Sequence, residues 1–267
     1  MQITNAEDLL NLEENEFLGE LPKLTNSQIN INGKNNILIC EDDVSLWNCR
    51  LDFNNDNSII YLSGNSFDYY FNISCNGNNI CFIGKNNYFN GQLHLILSES
   101  KNIFIGNDCM FSHGISVRTA DAHLLYNSKT KERINYSKSI YIGDHVWLGQ
   151  NAIILKGSQI GSGATIGAGS IISNKVIPSN TTFAGSPARL IHEDSFWIGY
   201  SVHSWNEETT QKYSKHESDM FIYTQDENTL SFDEIENELN NINTSDELLN
   251  YIEEHLLFSS KNRFSIK

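Results

Sequence analysis

Apolar residues recur every six positions through the middle of the chain. From Ile142 the sequence divides into eight consecutive hexads: IGDHVW, LGQNAI, ILKGSQ, IGSGAT, IGAGSI, ISNKVI, PSNTTF and AGSPAR. The first position is Ile or Leu in the first six hexads, and the fifth is always small or β-branched. A period of six fits neither an α-helix nor an ordinary strand. It predicts a solenoid in which the first position fills a narrow prism and the fifth packs beside it.

Less regular versions of the same phrase begin earlier in the chain. They are Asn-Ile-Leu-Ile at 36–39, Asn-Ile-Cys-Phe-Ile-Gly at 79–84, Asn-Ile-Phe-Ile-Gly at 102–106 and Ser-Ile-Tyr-Ile-Gly at 139–143. The asparagines between these runs suit turns, since Asn tolerates left-handed backbone angles. We therefore expect an all-β fold, a left-handed parallel β-helix over residues 29–190, preceded by an N-terminal segment of residues 1–28.

Two segments depart from the repeat. Residues 119–139 interrupt it and predict a loop that projects from the prism, and such insertions usually serve function. Residues 191–267 form an acidic region in which Ser231 with Glu234, and Thr244 with Glu247, predict capping boxes of two short amphipathic helices. We expect this α-helical appendage to be dispensable for the fold of the solenoid, because the repeat ends before it and its helices carry their own apolar faces.

Charge and composition exclude several classes. The net charge is −15, and residues 190–267 contribute sixteen acidic and five basic side chains to it. This balance argues against binding to nucleic acid or to an anionic membrane. The acidic start predicts no signal peptide, and the lack of a long apolar run predicts no membrane insertion. Five cysteines without a CxxC pair predict reduced thiols of a cytoplasmic protein and no metal site.

Three histidines and one tryptophan are candidates for chemistry. His123 lies near the base of the inserted loop, two residues after Asp121, which would orient its imidazole for acid–base catalysis. A solvated loop histidine explains the same pattern about equally well. His113 and His145 lie within the repeat, where a structural role is more usual, and we expect His145 to face outward. Trp147 occupies a sixth position, outside the prism, and predicts a covered ligand or a subunit interface.

Basic residues collect around the loop. Arg118, Lys129, Lys131, Arg133 and Lys138 outnumber Asp121 and Glu132 there, and Lys156, Lys175 and Arg189 follow on later coils. They suit an anionic ligand, such as the phosphates of CoA or an acidic sugar. Scattered lysines are also typical of a plain solvated surface.

These motifs carry a family resemblance over about residues 100–191. Asp-Ala-His at 121–123, the hexad IGDHVW and Gly-Ser-Pro-Ala-Arg at 185–189 resemble the hexapeptide-repeat acyltransferases. The stretch is most similar to bacterial O-acetyltransferases that modify capsule and lipopolysaccharide sugars, including capsular sialic acid O-acetyltransferases. Ala122 and Leu124, beside the histidine, and the long acidic tail depart from the family pattern.

The resemblance implies a homotrimer with active sites between subunits. It implies direct transfer of acetyl from acetyl-CoA to a sugar hydroxyl of a bacterial surface polysaccharide. His123 would be the general base, with Trp147 also essential and Asp121 orienting. CoA would lie on the outer surface of the late coils, against Gly149, Lys156, Ala168, Ser173, Lys175 and Arg189. The acceptor sugar would meet His113, Arg118 and Arg133, and backbone N–H groups from Trp147 to Gly149 would stabilise the oxyanion.

Three alternatives compete with this interpretation. N-acetylation of a nucleotide-linked amino sugar uses the same fold and donor. A zinc hydrase of the γ-carbonic anhydrase type would need two histidines five residues apart, and the sequence has none at that spacing. A non-catalytic binding solenoid would show a regular outward array of identical residues, which hexads 142–189 lack.

Overall fold

The computed structural model, which describes residues 1–242, 245–257 and 261–267, confirms the predicted left-handed parallel β-helix. Short strands stack coil upon coil into the three faces of a prism. We name the three faces A, B and C by the strands given next; each coil runs from face B to face C and then to face A.

The strands of each face follow one another by one coil. Face A contains Gln2–Ile3, Gln28–Ile31, Arg50–Phe53, Phe71–Cys75, Leu93–Leu97, Ser116–Arg118, Ile153–Leu155 and Ile171–Ile172. Face B contains Glu16–Gly19, Ile37–Cys40, Ile59–Leu62, Ile80–Ile83, Ile103–Ile105, Ile140–Ile142, Gln159–Ile160 and Val176–Ile177. Face C contains Tyr88–Phe89, Met110–Phe111, Trp147–Leu148, Thr165–Ile166, Thr182–Gly185 and the antiparallel Ala188–His192. In the early coils, the strands Lys23–Thr25 and Ser45–Trp47 pair into a separate two-stranded sheet, which lies before the first strand of face C.

The hexad positions pack as predicted, with one shift of register. First-position residues from Ile142 to Ile172 are buried, as are fifth-position residues from Val146 to Ser170. After Ile172 one residue drops out of the period, so that Ile177 and Phe183 fill the core in the places that the strict repeat gives to Pro178 and Ala184. The turn at 173–175 is a residue shorter than the repeat demands.

The solenoid begins earlier than residue 29. Glu16–Gly19 pairs in parallel with Ile37–Cys40, so residues 16–28 already belong to the first coil. Asparagine side chains join these early coils, with Asn35 Nδ2 donating to Asn57 Oδ1 and Asn57 Nδ2 to Asn78 Oδ1, each at 3.2 Å. All three have positive φ, the left-handed conformation expected for turn asparagines. The sequence phrases predict these coils from Asn36 onward but not the first one, which begins at Glu16.

The C-terminal region is helical and packs on the solenoid. It contains α1 (Glu207–Lys212), α2 (Phe232–Asn241), α3 (Ser245–Tyr251) and a π-helical turn, Ile252–Leu256. Ser231 and Glu234 form the predicted capping box of α2, whereas the box at Thr244 lies outside the described residues. Phe232 of α2 stacks on Tyr141, the last ring of an aromatic column on face B. Neighbouring rings of that column, Tyr61, Phe82, Phe104 and Tyr141, are 5.3–5.6 Å apart.

The C-terminal region therefore contacts the solenoid at several points. Its apolar faces cover face B, and its end reaches into the repeat. Arg263, which is 1% exposed, donates from Nε and Nη2 to the two carboxylate oxygens of Asp144 at 2.9 and 2.7 Å. Because a buried charge without a partner is costly, each of these two residues depends on the other.

All five cysteines are free and buried, as predicted. Burial raises the pKa of the Cys49 thiol to about 12, which keeps it protonated and unreactive. Within the described residues, no helix has the length and apolar character needed to cross a membrane. In the same residues, no group of three or more acidic, His or Cys side chains is placed to hold a metal ion.

Candidate active site

The inserted loop is closed at its base and exposed at its tip. Thr119 is buried, and its Oγ1 donates to the carbonyl of Ser98 while its own carbonyl accepts from Lys138 N–H at 3.1 Å. A short antiparallel pairing of Tyr126 with Arg133 then folds the loop back on itself. His123 lies on the outgoing arm of this hairpin with an exposed side chain.

Asn135 organises the arm that carries His123. Its buried amide donates from Nδ2 to the carbonyl of His123 at 2.8 Å and to Asp121 Oδ2 at 3.0 Å, and its Oδ1 accepts from Leu125 N–H at 2.9 Å. A buried amide with these partners fixes the backbone on both sides of the histidine. Sequence reasoning missed Asn135 because one asparagine among many carries no distinguishing pattern.

Asp121 and Lys156 join the loop to the prism. Lys156 Nζ donates to Asp121 Oδ2 at 2.6 Å and to the carbonyl of Asn135 at 3.0 Å. The hydrogen bonds from Lys156 and Asn135 hold the pKa of Asp121 below its usual value. Asp121 therefore makes its contacts with Lys156 and Asn135, and Lys156, which the resemblance places at CoA, is engaged at the loop base.

Arg133 is engaged in a similar way on the returning arm. Its guanidinium donates to both oxygens of Glu99 at 2.7 and 2.8 Å, and the hydroxyl of Ser137 donates to the same carboxylate. These donors lower the pKa of Glu99 to about 2. Two of the basic groups assigned to ligands, Lys156 and Arg133, thus hold the loop in place.

Trp147 lies on face C, away from this loop. Its side chain is 37% exposed, and Nε1 donates to Ser112 Oγ at 3.3 Å. The indole of Trp197, from the C-terminal region, approaches to 6.2 Å between ring centroids. The prediction that Trp147 points out of the prism is confirmed.

His145 is not the ordinary exposed residue that its position in the hexad predicts. It points out of the prism but is 4% exposed, because its ring lies between Trp197 at 4.1 Å and Phe221 at 3.9 Å. Trp197 Nε1 donates to the carbonyl of His145 at 2.8 Å, and His145 Nε2 lies 3.1 Å from the carbonyl of Trp197. Burial lowers the pKa of this imidazole.

A cleft of about 1230 Å³ lies beside Trp147 on face C. Phe67, Tyr88, Met110 and Trp147 form its floor, and segments 197–203 and 220–223 of the C-terminal region form its wall. The sequence repeat predicts outward residues here, but it does not predict that the C-terminal region comes back to enclose them.

The residues assigned to CoA lie at the two ends of the last strands of face A. Gly149 and Ala168 precede Ile153–Leu155 and Ile171–Ile172, and a side chain at Gly149 would come within 2.7 Å of the Ala168 nitrogen. Ser173 follows the second strand and is exposed. Lys175 Nζ and Arg189 Nη1 both donate to the carbonyl of Ala188, at 3.0 and 3.2 Å, which brings the two cations together.

The backbone donors expected to stabilise the oxyanion are already used. Trp147 N–H donates to the carbonyl of Ala164 at 3.0 Å, and Gly149 N–H to that of Ile166 at 2.7 Å. Both bonds belong to the regular pairing with the next coil. The assignment of the oxyanion donors to these two groups is therefore wrong.

His113 and Arg118, assigned to the acceptor sugar, flank the last strand of face A before the loop. His113 is exposed at the turn that follows Ser112, the hydroxyl partner of Trp147. Arg118 ends the strand, and its Nε is buried with no hydrogen-bond partner among the described residues.

A single chain does not bring His123 and Trp147 together. The loop leaves the corner between faces A and B, whereas Trp147 lies on face C and lines the cleft there. The pocket residues around Trp147 do not include His123.

Comparison with known proteins gives the family. Residues 139–174 match the model described as bacterial transferase hexapeptide (six repeats). A polysialic acid O-acetyltransferase of Neisseria meningitidis is 34% identical over 204 residues, 76% of this chain and 84% of that protein. A polysialic acid O-acetyltransferase of Escherichia coli O1:K1 / APEC is 42% identical over 102 residues, 38% of this chain and 33% of that protein.

A solved structure, that of the polySia specific acetyltransferase NeuO, agrees with these relatives. It superposes with a TM-score of 0.63 at 29% identity, over 75% of this chain and 94% of that one. The chain belongs to the hexapeptide-repeat transferases and is an O-acetyltransferase of that family.

Proposed function

We propose that the protein transfers an acetyl group from acetyl-CoA to a hydroxyl of a bacterial surface polysaccharide, with His123 as general base. The observation that carries the proposal is the loop base, where Asn135, Asp121 and Lys156 fix the backbone around an exposed imidazole. A side chain held in this way on a projecting loop can meet a bulky acceptor without rearrangement of the core.

The chemistry needs one base and no covalent enzyme intermediate. The His123 imidazole accepts the proton of the sugar hydroxyl as its oxygen bonds to the acetyl carbon. The carbon–sulfur bond then breaks, and the imidazolium returns the proton to the departing thiolate. Acetyl-CoA supplies an activated thioester. A positioned base of this kind typically contributes about 10²–10⁴-fold in rate.

Lys175 and Arg189 would hold the phosphates of CoA. Both side chains share the Ala188 carbonyl, which leaves several of their N–H groups free to point outward. Exposed Ala168 and Ser173 lie on either side of the strand Ile171–Ile172 of face A, where an extended cofactor arm can lie against small side chains. These contacts fit a phosphorylated thioester.

A homotrimer would bring His123 of one subunit to Trp147 of the next. The separation of the two residues within one chain supports this arrangement, since each face of the chain offers half of a site. The loop also exposes apolar side chains, among them Leu124, Leu125, Ile134 and Tyr136, each more than half exposed. A subunit interface would cover them.

The function is tested by following thiol release while the protein is incubated with acetyl-CoA and a panel of capsular polysaccharides. We expect release that depends on one class of polysaccharide and yields a base-labile O-acetyl ester in the product. Acetylation of an amine would instead support the alternative function, an N-acetyltransferase that acts on an amino sugar. Acetyl-CoA turnover that no carbohydrate accelerates would contradict the proposal.

A further inference from the structure

The floor of the cleft on face C is a row of outward side chains, one from each coil. Phe67 stacks against Tyr88 with centroids 5.1 Å apart, Tyr88 pairs in register with Met110, and Met110 with Trp147. Three steps between adjacent strands span about 14 Å. The row is therefore straight and periodic, and it runs along the prism axis to the residue that we place at the active site.

The cleft is too large for a single sugar. Its volume of about 1230 Å³ exceeds the range of about 300–1,000 Å³ that is common for small-molecule pockets. Phe67, Tyr88 and Trp147 are 37–47% exposed, so that their rings are available for stacking. The wall opposite adds Trp197 and Tyr200. Rings with polar edges, spaced along a groove, suit the alternating apolar faces and hydroxyl rims of linked sugar rings.

The charges of the cleft do not suit an anionic polymer. Asp108 and Asp144 line it, and Lys261 is the one Lys or Arg in its lining among the described residues. Lys261 Nζ donates to the carbonyl of Asp219 at 2.8 Å, and Asp144 is satisfied by buried Arg263. Burial and the neighbouring Asp144 raise the pKa of Asp108. The protein as a whole carries −15. A chain of sialic acids would find no matching row of cations here.

We infer that this cleft binds several consecutive, uncharged sugar residues of the polysaccharide acceptor and leads them to Trp147. The inference rests on the proposed function for the meaning of Trp147, but the binding itself does not depend on transfer. Phe67 and Tyr88 are then acceptor-binding residues remote from the reacting hydroxyl. The acceptor class is a neutral polymer, in contrast to the polysialic acid named for the relatives.

The decisive variant is the double replacement Phe67→Ala with Tyr88→Ala. Both side chains are partly exposed, so their loss leaves the prism core intact. The matched control is Trp47→Ala, which removes a ring of 42% exposure that pairs with Tyr70 outside the cleft. Trp147 and Trp197 line the cleft, so their intrinsic fluorescence reports binding without any catalysis.

Dextran, mannan and galactan fractions of matched length, and polysialic acid of the same length, serve as probes. We expect at least one neutral polymer to quench the fluorescence, with tighter binding for longer fragments, and the double variant to weaken that binding about tenfold. Trp47→Ala should bind like the native chain. Quenching by polysialic acid alone, or by none of the neutral polymers, would overturn the inference.

Two further readouts distinguish sugar binding from subunit contact and from catalysis. If the double variant lowers the mass measured by light scattering, the row is an interface between copies of this chain and the inference fails. If the native protein transfers acetyl to no carbohydrate although a neutral polymer binds the cleft, the proposed function fails and the binding site stands.

Discussion

The inserted loop and the cleft on face C are held by opposite means. Polar contacts hold the loop: Lys156 with Asp121, Arg133 with Glu99, and the amide of Asn135. Stacked rings hold the wall of the cleft, with His145 between Trp197 and Phe221. Hydrogen-bonded ion pairs fix the direction of a backbone closely, whereas stacked rings offer broad apolar surface. On the proposed function the first region aims one imidazole, and on the further inference the second receives a ligand of some length.

The largest effect should come from the imidazole itself. His123→Ala should lower turnover about 10²–10⁴-fold, the usual contribution of a general base, while acetyl-CoA affinity and oligomeric mass stay unchanged. Turnover is followed by thiol release, and affinity by calorimetry. His94→Ala, an exposed histidine on face A, is the control. Retention of more than about a tenth of native turnover would exclude His123 as the base, with His113 the nearest remaining candidate.

Mixing subunits tests whether the two regions form one site across a boundary. His123→Ala and Trp147→Ala chains should each be inactive alone. Refolded together, they should regain part of the native turnover, because some interfaces then pair an intact His123 with an intact Trp147. Activity is measured against the same total chain concentration of each variant alone. No recovery in verified mixed oligomers would place both residues in one subunit's site.

The polar anchoring of the loop predicts a more moderate effect. Lys156→Met removes the ammonium that bridges Asp121 and Asn135 but keeps the length of the side chain. We expect turnover to fall about ten- to a hundredfold through misplacement of His123, with the KM for acetyl-CoA unchanged. Steady-state kinetics separates the two quantities. A raised KM with native turnover would return Lys156 to the CoA site.

A substitution on the late coils should change the KM for acetyl-CoA and not the turnover, the reverse of the effect expected at the loop. Arg189→Ala should raise the KM for acetyl-CoA several-fold with turnover nearly unchanged, since we propose that the guanidinium contacts the nucleotide and not the acceptor. The difference from the native protein should shrink as salt is added, because charges at exposed positions are screened. An unchanged KM at low salt would remove Arg189 from the phosphate site.

The stacked histidine predicts the smallest effect, on stability. Burial between two rings holds the pKa of His145 below 6.5, so the unfolded chain takes up the proton first as the pH falls. The stability that this neutral histidine contributes is present above about pH 6.5 and is lost on acidification. The Tm of the native protein should therefore drop by a few °C more than that of His145→Asn between about pH 7 and pH 5. Asn suits the positive φ of 53° at this position. Parallel pH profiles would contradict the assignment.

The regular part of the molecule is readable from the sequence because each coil contacts only its neighbours. Ile142 and Leu148 are buried for reasons that lie within a few residues of each. The one-residue shortening of the turn at 173–175 could not be predicted in this way, because it leaves the composition of the hexads almost unaltered.

The site is less readable because its supports come from far along the chain. The position of His123 could be predicted from the broken repeat and the Asp-Ala-His motif. The amide of Asn135 and the coverage of His145 by Trp197 depend on contacts that no local pattern encodes. The net positive charge of the loop is also misleading, since Arg133 and Lys156 are engaged by carboxylates of the protein itself.

The pairing of Arg263 with Asp144 also bears on how the protein is made. The two residues are 119 positions apart along the chain. Earlier coils can stack through local contacts while the ribosome is still at work. The carboxylate of Asp144, in the IGDHVW hexad, however, gains its compensating charge only after Arg263 has been synthesised. The turn that carries Asp144 should thus become rigid later than the coils before it, and in chains truncated before Arg263 it should stay less rigid even where the prism has formed.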